Sequence, residues 1–181
     1  MEADAYTLGG SAFIKLGGTD FSDSLLIGHA TTGTLDDATR NVGVGTGALD
    51  SITAGDGNVV AGWRSGTAIT SGSYNTLSGY ATGYEISTSN YNTGFGNTAL
   101  NYGNGTQNTA VGYQALQGVS GNANNYNSAF GSGSLKAITT GEYNVGIGYQ
   151  SGDNITTGSG NIVIGKADVS SATGDDQLSI S

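Results

Sequence analysis

One phrase, Asn followed by two mostly small residues, an apolar residue and Gly, recurs along this chain at an almost constant step. Copies open at Ser24, Asn41, Asn58, Asn75, Asn92, Asn108, Asn127, Asn144 and Asn161, spaced by 17 residues except for 16 after Asn92 and 19 after Asn108. Position one is Asn in every copy but the first, and position five is Gly in every copy, from Gly28 to Gly165. Position four is apolar (Ile27, Val44, Ala61, Phe95, Val111, Phe130, Ile147 and Ile164) except at Ser78. Position twelve carries a second apolar column: Leu35, Ile52, Ile69, Ile86, Val119, Ile138 and Ile155. A fixed period this short means stacked units, none of which can bury its apolar face alone.

Each unit offers two short strand candidates, around positions two to four and eleven to thirteen. Both are rich in β-branched residues and are separated by Gly and Asn. The chain holds 33 Gly among 181 residues and no Pro. That density of Gly, with no sustained 3.6-residue period, excludes helix. The predicted fold is all-β, a parallel β-roll or β-solenoid of about nine rungs of 17 residues, roughly 40 Å tall at ~4.8 Å per rung. Equivalent residues then stack. The leading Asn forms a ladder of amides bonded rung to rung, and the recurring Gly allows a sharp corner or close backbone approach. The roll is expected over 24–169. Residues 1–23 are expected to be a cap or a lead-in from a stalk, and 170–181 a transition segment.

Position three is small or apolar as well: Leu26, Gly43, Val60, Leu77, Gly94, Ala110, Ala129, Gly146 and Val163. Both faces of the first strand are therefore apolar, and such a strand needs a cover on each face. The roll's interior supplies one cover. A further copy of the chain most simply supplies the other, so a homo-oligomer is expected.

The phrases "NTAVGYQAL", "NVGIGYQSG" and "NSAFGSGSL", joined by "ITTGEY"-type turns, resemble the β-roll repeats of trimeric fibre proteins. The likeness covers about Ser24–Asp168. It is shared by the head domains of trimeric autotransporter adhesins and by phage tail-fibre proteins. "SLLIGHATTGTLDDATRNVGVGTGAL" is closer to the phage style, and the rung is longer than that of the adhesins. The resemblance implies a homotrimer of left-handed parallel β-rolls, serving as a rigid spacer or receptor-facing head on a virion or cell surface.

Composition excludes several classes. With 5 Lys+Arg against 14 Asp+Glu, net charge −9, there is no basic patch for a phosphate backbone, and no nucleic-acid partner is expected. No run approaches the ~20 apolar residues of a membrane span, so no membrane insertion is expected. The first residues lack the apolar core of a signal peptide, which leads to the expectation of a chain cytosolic at synthesis or cut from a longer one. Cys is absent, so cysteine gives no compartment and no His/Cys metal centre. "GVGTGA" at Gly43 and "GFGNTA" at Gly94 match a dinucleotide fingerprint, but no helix follows to hold a pyrophosphate. His29, the single histidine, occupies an ordinary repeat position. The acids sit near turns: Asp36, Asp37, Asp50, Asp56, Glu142, Asp153, Asp175 and Asp176. Ca²⁺ between rungs is the functional reading of such carboxylates, yet the nonapeptide that binds Ca²⁺ in β-rolls is missing. No cofactor, no metal and no catalytic residue is predicted, and the chain is not expected to be an enzyme.

Aromatic residues carry the candidate contacts. Trp63, Tyr80, Tyr113 and Tyr149 follow the position-five Gly, and Tyr74, Tyr91, Tyr126 and Tyr143 close their repeats just before Asn. Cross-rung packing is one reading of these columns. A surface for a host glycan or protein is the other. The long repeat adds a bulge, so Gly121, Asn122, Asn124 and Asn125 mark a candidate contact loop. The Thr column Thr53, Thr70, Thr139 and Thr156 raises the alternative of an ice-binding solenoid. The function expected is a non-enzymatic structural and adhesive fibre domain in a phage tail fibre on the virion. Its alternative is the head of a bacterial trimeric surface adhesin on the cell surface.

Overall fold

The computed structural model describes residues 5–8, 11–16, 19–28 and 32–181. The described residues form a β-solenoid. Its strands are β1 (Ala5–Leu8), β2 (Ser11–Leu16), β3 (Leu25–Ile27), β4 (Val42–Val44), β5 (Val59–Ala61), β6 (Thr76–Ser78), β7 (Thr93–Phe95), β8 (Thr109–Val111), β9 (Ser128–Phe130), β10 (Val145–Ile147), β11 (Ile162–Ile164) and β12 (Leu178–Ile180). They lie in one sheet in chain order. From β3 to β12 every neighbouring pair is parallel and in register, so the chain makes about nine turns of about 17 residues.

Two end features differ from a plain repeat. β1 and β2 form an antiparallel hairpin, and β2 lies antiparallel along β3, which occupies the otherwise open edge of the first rung. At the other end, residues 170–181, expected as a transition segment, add one more parallel strand. Gln177 stands where Asn is expected and donates its N–H and Nε2 to Asn161 Oδ1, at 2.9 and 3.1 Å. A side chain of the same amide chemistry therefore extends the ladder.

Only positions two to four form a strand. The second strand candidate, positions eleven to thirteen, is an extended corner instead. It still bonds rung to rung, but several N–H groups converge on one carbonyl, as Thr53, Ala54 and Gly55 do on Thr70 O, so no regular ladder forms. The cause is the chain path before it. Positions five, seven and nine take positive φ in the rung from Asn92: Gly96 at 136°, Thr98 at 52° and Leu100 at 54°. Alternating signs of φ coil the backbone too tightly for a second ladder.

The coil fixes which side chains point inward. Position three is buried in every rung, as are the small residues at position eight, such as Ala48, Ser65, Thr82 and Ala99. Positions three and nine share the interior: Gly43 accompanies Leu49 and Gly94 accompanies Leu100, whereas Val60 accompanies Gly66 and Leu77 accompanies Gly83. A Cβ on Gly94 would lie 3.1 Å from Leu100 Cδ1, and one on Gly66 within 3.4 Å of Val60 Cγ1. In these four rungs large and small alternate because a close-packed interior has room for one large side chain across that gap, whereas Gly146 accompanies Gly152 and Val163 accompanies Val169. Ile52, Ile69, Ile86, Ile138 and Ile155 complete the core as the position-twelve column.

Polar ladders bind the rungs. Asn58 donates both its N–H and its Nδ2 to Asn41 Oδ1 at 3.0 Å, and the same Nδ2 reaches Gly72 O at 2.9 Å. The pattern repeats through Asn75, Asn92, Asn127, Asn144 and Asn161, with Asn41 N–H donating to Ser24 Oγ below. These amides are buried, so each filled valence avoids the ~1–3 kcal/mol cost of an unmatched polar group.

Candidate functional site

Alternation along the three-residue strands sets what the molecule shows outside. With position three inward, positions two and four face out. Val44, Val59, Phe95, Val111, Phe130, Ile147, Ile162 and Ile164 are all exposed. Since the strands stack in register, position four forms an apolar stripe along the sheet, broken at Ser78, with Val59 and Ile162 beside it at position two and Thr76, Thr93, Thr109 and Ser128 between them. Among the described residues of the chain, none buries these side chains.

Aromatic columns flank the stripe. On the far side of the glycine corner, Trp63 and Tyr80 stack with ring centroids 4.9 Å apart and planes at 18°. Asn97 follows at that position, so Tyr113 stands alone; Ser132 follows it, and then Tyr149, whose ring lies 5.5 Å from Lys166 Nζ. The predicted column is thus a pair and two separate rings. All four are about half exposed, from 45% at Trp63 to 56% at Tyr149. On the near side, Tyr74–Tyr91 and Tyr126–Tyr143 form parallel pairs at 5.2 and 4.7 Å, interrupted by Gln107.

The bulged repeat divides the predicted contact loop. Gly121 faces open space, and Val119 and Ser120 are exposed, with Ser120 Oγ donating to Glu85 Oε2 at 2.6 Å. Asn122 is half-buried, and Asn125 bridges rungs by accepting from Thr106 N–H and donating to Glu142 Oε1. Asn124 departs from the expectation: it is fully buried and cannot serve as a surface contact. Its side chain lies beside Gly103, which leaves a gap in the isoleucine column. Val119, counted into that column from the sequence, lies outside it at 43% exposure.

Several acids have a structural task that the sequence did not reveal. Two residues before each ladder Asn runs a second polar column. Thr39 donates its N–H and hydroxyl to Asp56 Oδ1, Asp56 N–H donates to Ser73 Oγ, and Ser73 N–H to Asn90 Oδ1. Further along, Glu142 N–H donates to Ser159 Oγ, and Ser159 N–H to Asp175 Oδ1. Asp56 and Asp175 therefore accept backbone N–H groups from a neighbouring rung. The signal was a column of short polar residues rather than of one residue type. Among the described residues no group of three or more His, Cys, Asp or Glu is placed to hold a metal ion; His29 lies outside the described residues. Asp153 and Asp168 line a small cleft with Lys166 and Gln150. Burial and the Asp168 carboxyl push the Asp153 pKa up, while Lys136 and Lys166 oppose the shift.

The Thr column is also committed within the coil. Thr53, Thr70, Thr139 and Thr156 each donate a hydroxyl to the carbonyl of the next rung, at 3.0–3.3 Å. Such hydroxyls are spent on the neighbouring rung, which weakens the case for an ice-facing array. No family model matches this chain, and no curated protein or solved structure is detectably similar to it.

Proposed function

We propose that this chain is a non-enzymatic structural and adhesive domain of a phage tail fibre, working as a homotrimer that attaches to a host surface. The observation that carries the reading is the exposed apolar stripe at strand position four, from Phe95 to Ile164. Contiguous apolar surface of this kind, repeated over a stack of strands, is what association sites present. Covering it with sister chains would also compensate for a core only one rung wide. The number three comes from the resemblance of the repeats to trimeric β-roll fibres. Three identical copies would present any weak contact together and gain avidity from it.

Sedimentation equilibrium of the full chain tests the assembly. A mass three times the 18.0 kDa of one chain is expected. The double variant Phe130→Lys, Ile147→Lys places charges in the stripe and should sediment as one chain. A folded wild-type monomer at micromolar concentration would overturn the trimer. Binding of the labelled chain to a panel of bacterial cells tests adhesion, and attachment to none of them would remove that half of the proposal.

A further inference from the structure

Trp63, Arg64, Tyr80, Tyr84, Asn101 and Tyr102 line a cleft of about 310 Å³. That volume lies at the small end of ligand clefts, ~300–1,000 Å³. It arises where aromatic residues from three rungs meet. At position ten most rungs carry Asp50, Thr67, Gln117, Lys136 or Asp153, but here Tyr84 and Asn101 fill it, with Tyr102 next in the chain. The site belongs to this part of the roll alone and is not a general feature of the repeat.

The polar groups in the cleft are incompletely used. Arg64 Cζ lies 5.1 Å from the Trp63 ring centroid and 4.8 Å from that of Tyr84, and Arg64 Nη2 donates to the Tyr84 hydroxyl. The guanidinium is held by two rings, and its hydrogen bond to the Tyr84 hydroxyl uses one of its five N–H donors. No acid lines the cleft, although acids outnumber bases 14 to 5 in the chain. Asn101 is only 6% exposed, and its Oδ1 has no hydrogen-bond partner. Its backbone carbonyl accepts from Glu85 N–H, which fixes the residue in the ladder, and the unpartnered oxygen is itself shielded from solvent.

We propose that this cleft binds an acidic saccharide, a pyranose bearing a carboxylate. Trp63 and Tyr80, half exposed beside their mutual stack, offer apolar ring surface for the C–H face of a sugar ring. Arg64 supplies charged donors to the carboxylate. An apolar peptide would leave the guanidinium charge unmatched. One arginine in a chain of net charge −9 is too little for a polyphosphate. The proposal rests on the adhesive reading, since host-surface polysaccharide is the natural source of such a ligand.

The test uses the full chain on immobilised oligosaccharides that span neutral hexoses, uronates and sialosides. Retention on carboxylate-bearing members is expected. Trp63→Ala should weaken it by about tenfold or more, and Arg64→Gln should erase the preference for acidic over neutral sugars. Each variant is checked for unchanged mass and melting temperature. Failure of wild type to bind any carboxylated sugar overturns the site. So does unchanged binding by Trp63→Ala, or dissociation of the assembly by that variant, which would make the ring a packing element. Cell attachment that survives Trp63→Ala removes this cleft and leaves the adhesive reading standing. Sugar binding without attachment to any cell does the reverse.

Discussion

Gly96 illustrates what one residue must satisfy in this coil. Its φ is +136°, a region closed to L side chains, and a Cβ there would lie 2.4 Å from the Gly112 carbonyl oxygen. The same overlap with the next rung recurs at Gly45, Gly62, Gly79, Gly131 and Gly148. Either constraint alone would select glycine, and backbone stacking adds the second. Gly96→Ala should therefore lower stability by about 3 kcal/mol or more in a urea melt. Gly121→Ala, at φ +81° but with nothing within 4 Å, should cost only ~1–2 kcal/mol. Equal losses would refute the stacking explanation.

Tyr74, Tyr91, Tyr126 and Tyr143 adopt left-handed backbone at φ 58–59°, where a bulky residue is strained. Gly57 and Gly160 fill the same position elsewhere. Tyrosine therefore trades backbone strain of ~1–2 kcal/mol against stacking of ~0.5–1.5 kcal/mol and added burial. Tyr91→Gly removes both and should change stability by less than about 1 kcal/mol. Tyr91→Ala removes the stack and keeps the strain, so it should melt lower than the Gly variant. The opposite order would show that left-handed backbone is not strained at this position.

At the scale of the rung, the two irregular repeats are the weak layer. Gly103 and Asn124 interrupt the isoleucine column between Ile86 and Ile138, and both polar atoms of the Asn124 side chain are buried without partners. Leucine has the same branched skeleton as asparagine and no polar atoms. Asn124→Leu should raise stability by ~1–3 kcal/mol, the cost of stranded polar groups, seen as a higher melting temperature. A fall would mean that the amide has an unrecognised partner. The sequence misled here for a definite reason. Register in the 19-residue rung is set from its end, where the Asn124 carbonyl accepts from Asn108 Nδ2. Counting forward from Asn108 therefore placed Val119 in the core and Asn124 on the surface. In the regular rungs, counting from either end gives the same answer, and the isoleucine column was legible.

For the whole molecule, the excess of acids governs the response to pH. The Asp153 pKa is raised above its ordinary 3.8 by burial first and by Asp168 second. A raised pKa in the folded state means that the fold binds the proton more tightly than the unfolded chain does. The stability this proton confers is present below about pH 3.8 and is lost as pH rises through the folded value. Asp153→Asn should accordingly be somewhat more stable than wild type at pH 7. Its advantage should shrink on acidification, as followed by melts across pH. A constant difference would mean that the carboxyl titrates normally.

The period, the Asn ladder and the stacked glycines were all readable from the chain, because a solenoid copies local spacing directly into neighbouring contacts. A residue 17 places away is the residue in the next rung, so one-dimensional repetition contains most of the tertiary information. Other features required the folded coil. Which face of each three-residue strand turns inward depends on the positive-φ corners that follow it. Those corners placed position three inside and the position-four column outside, and they turned the second strand candidate into a corner. The Trp63–Tyr102 cleft likewise joins positions six, seven, ten and eleven of three rungs, and only the curvature of the chain path brings them together.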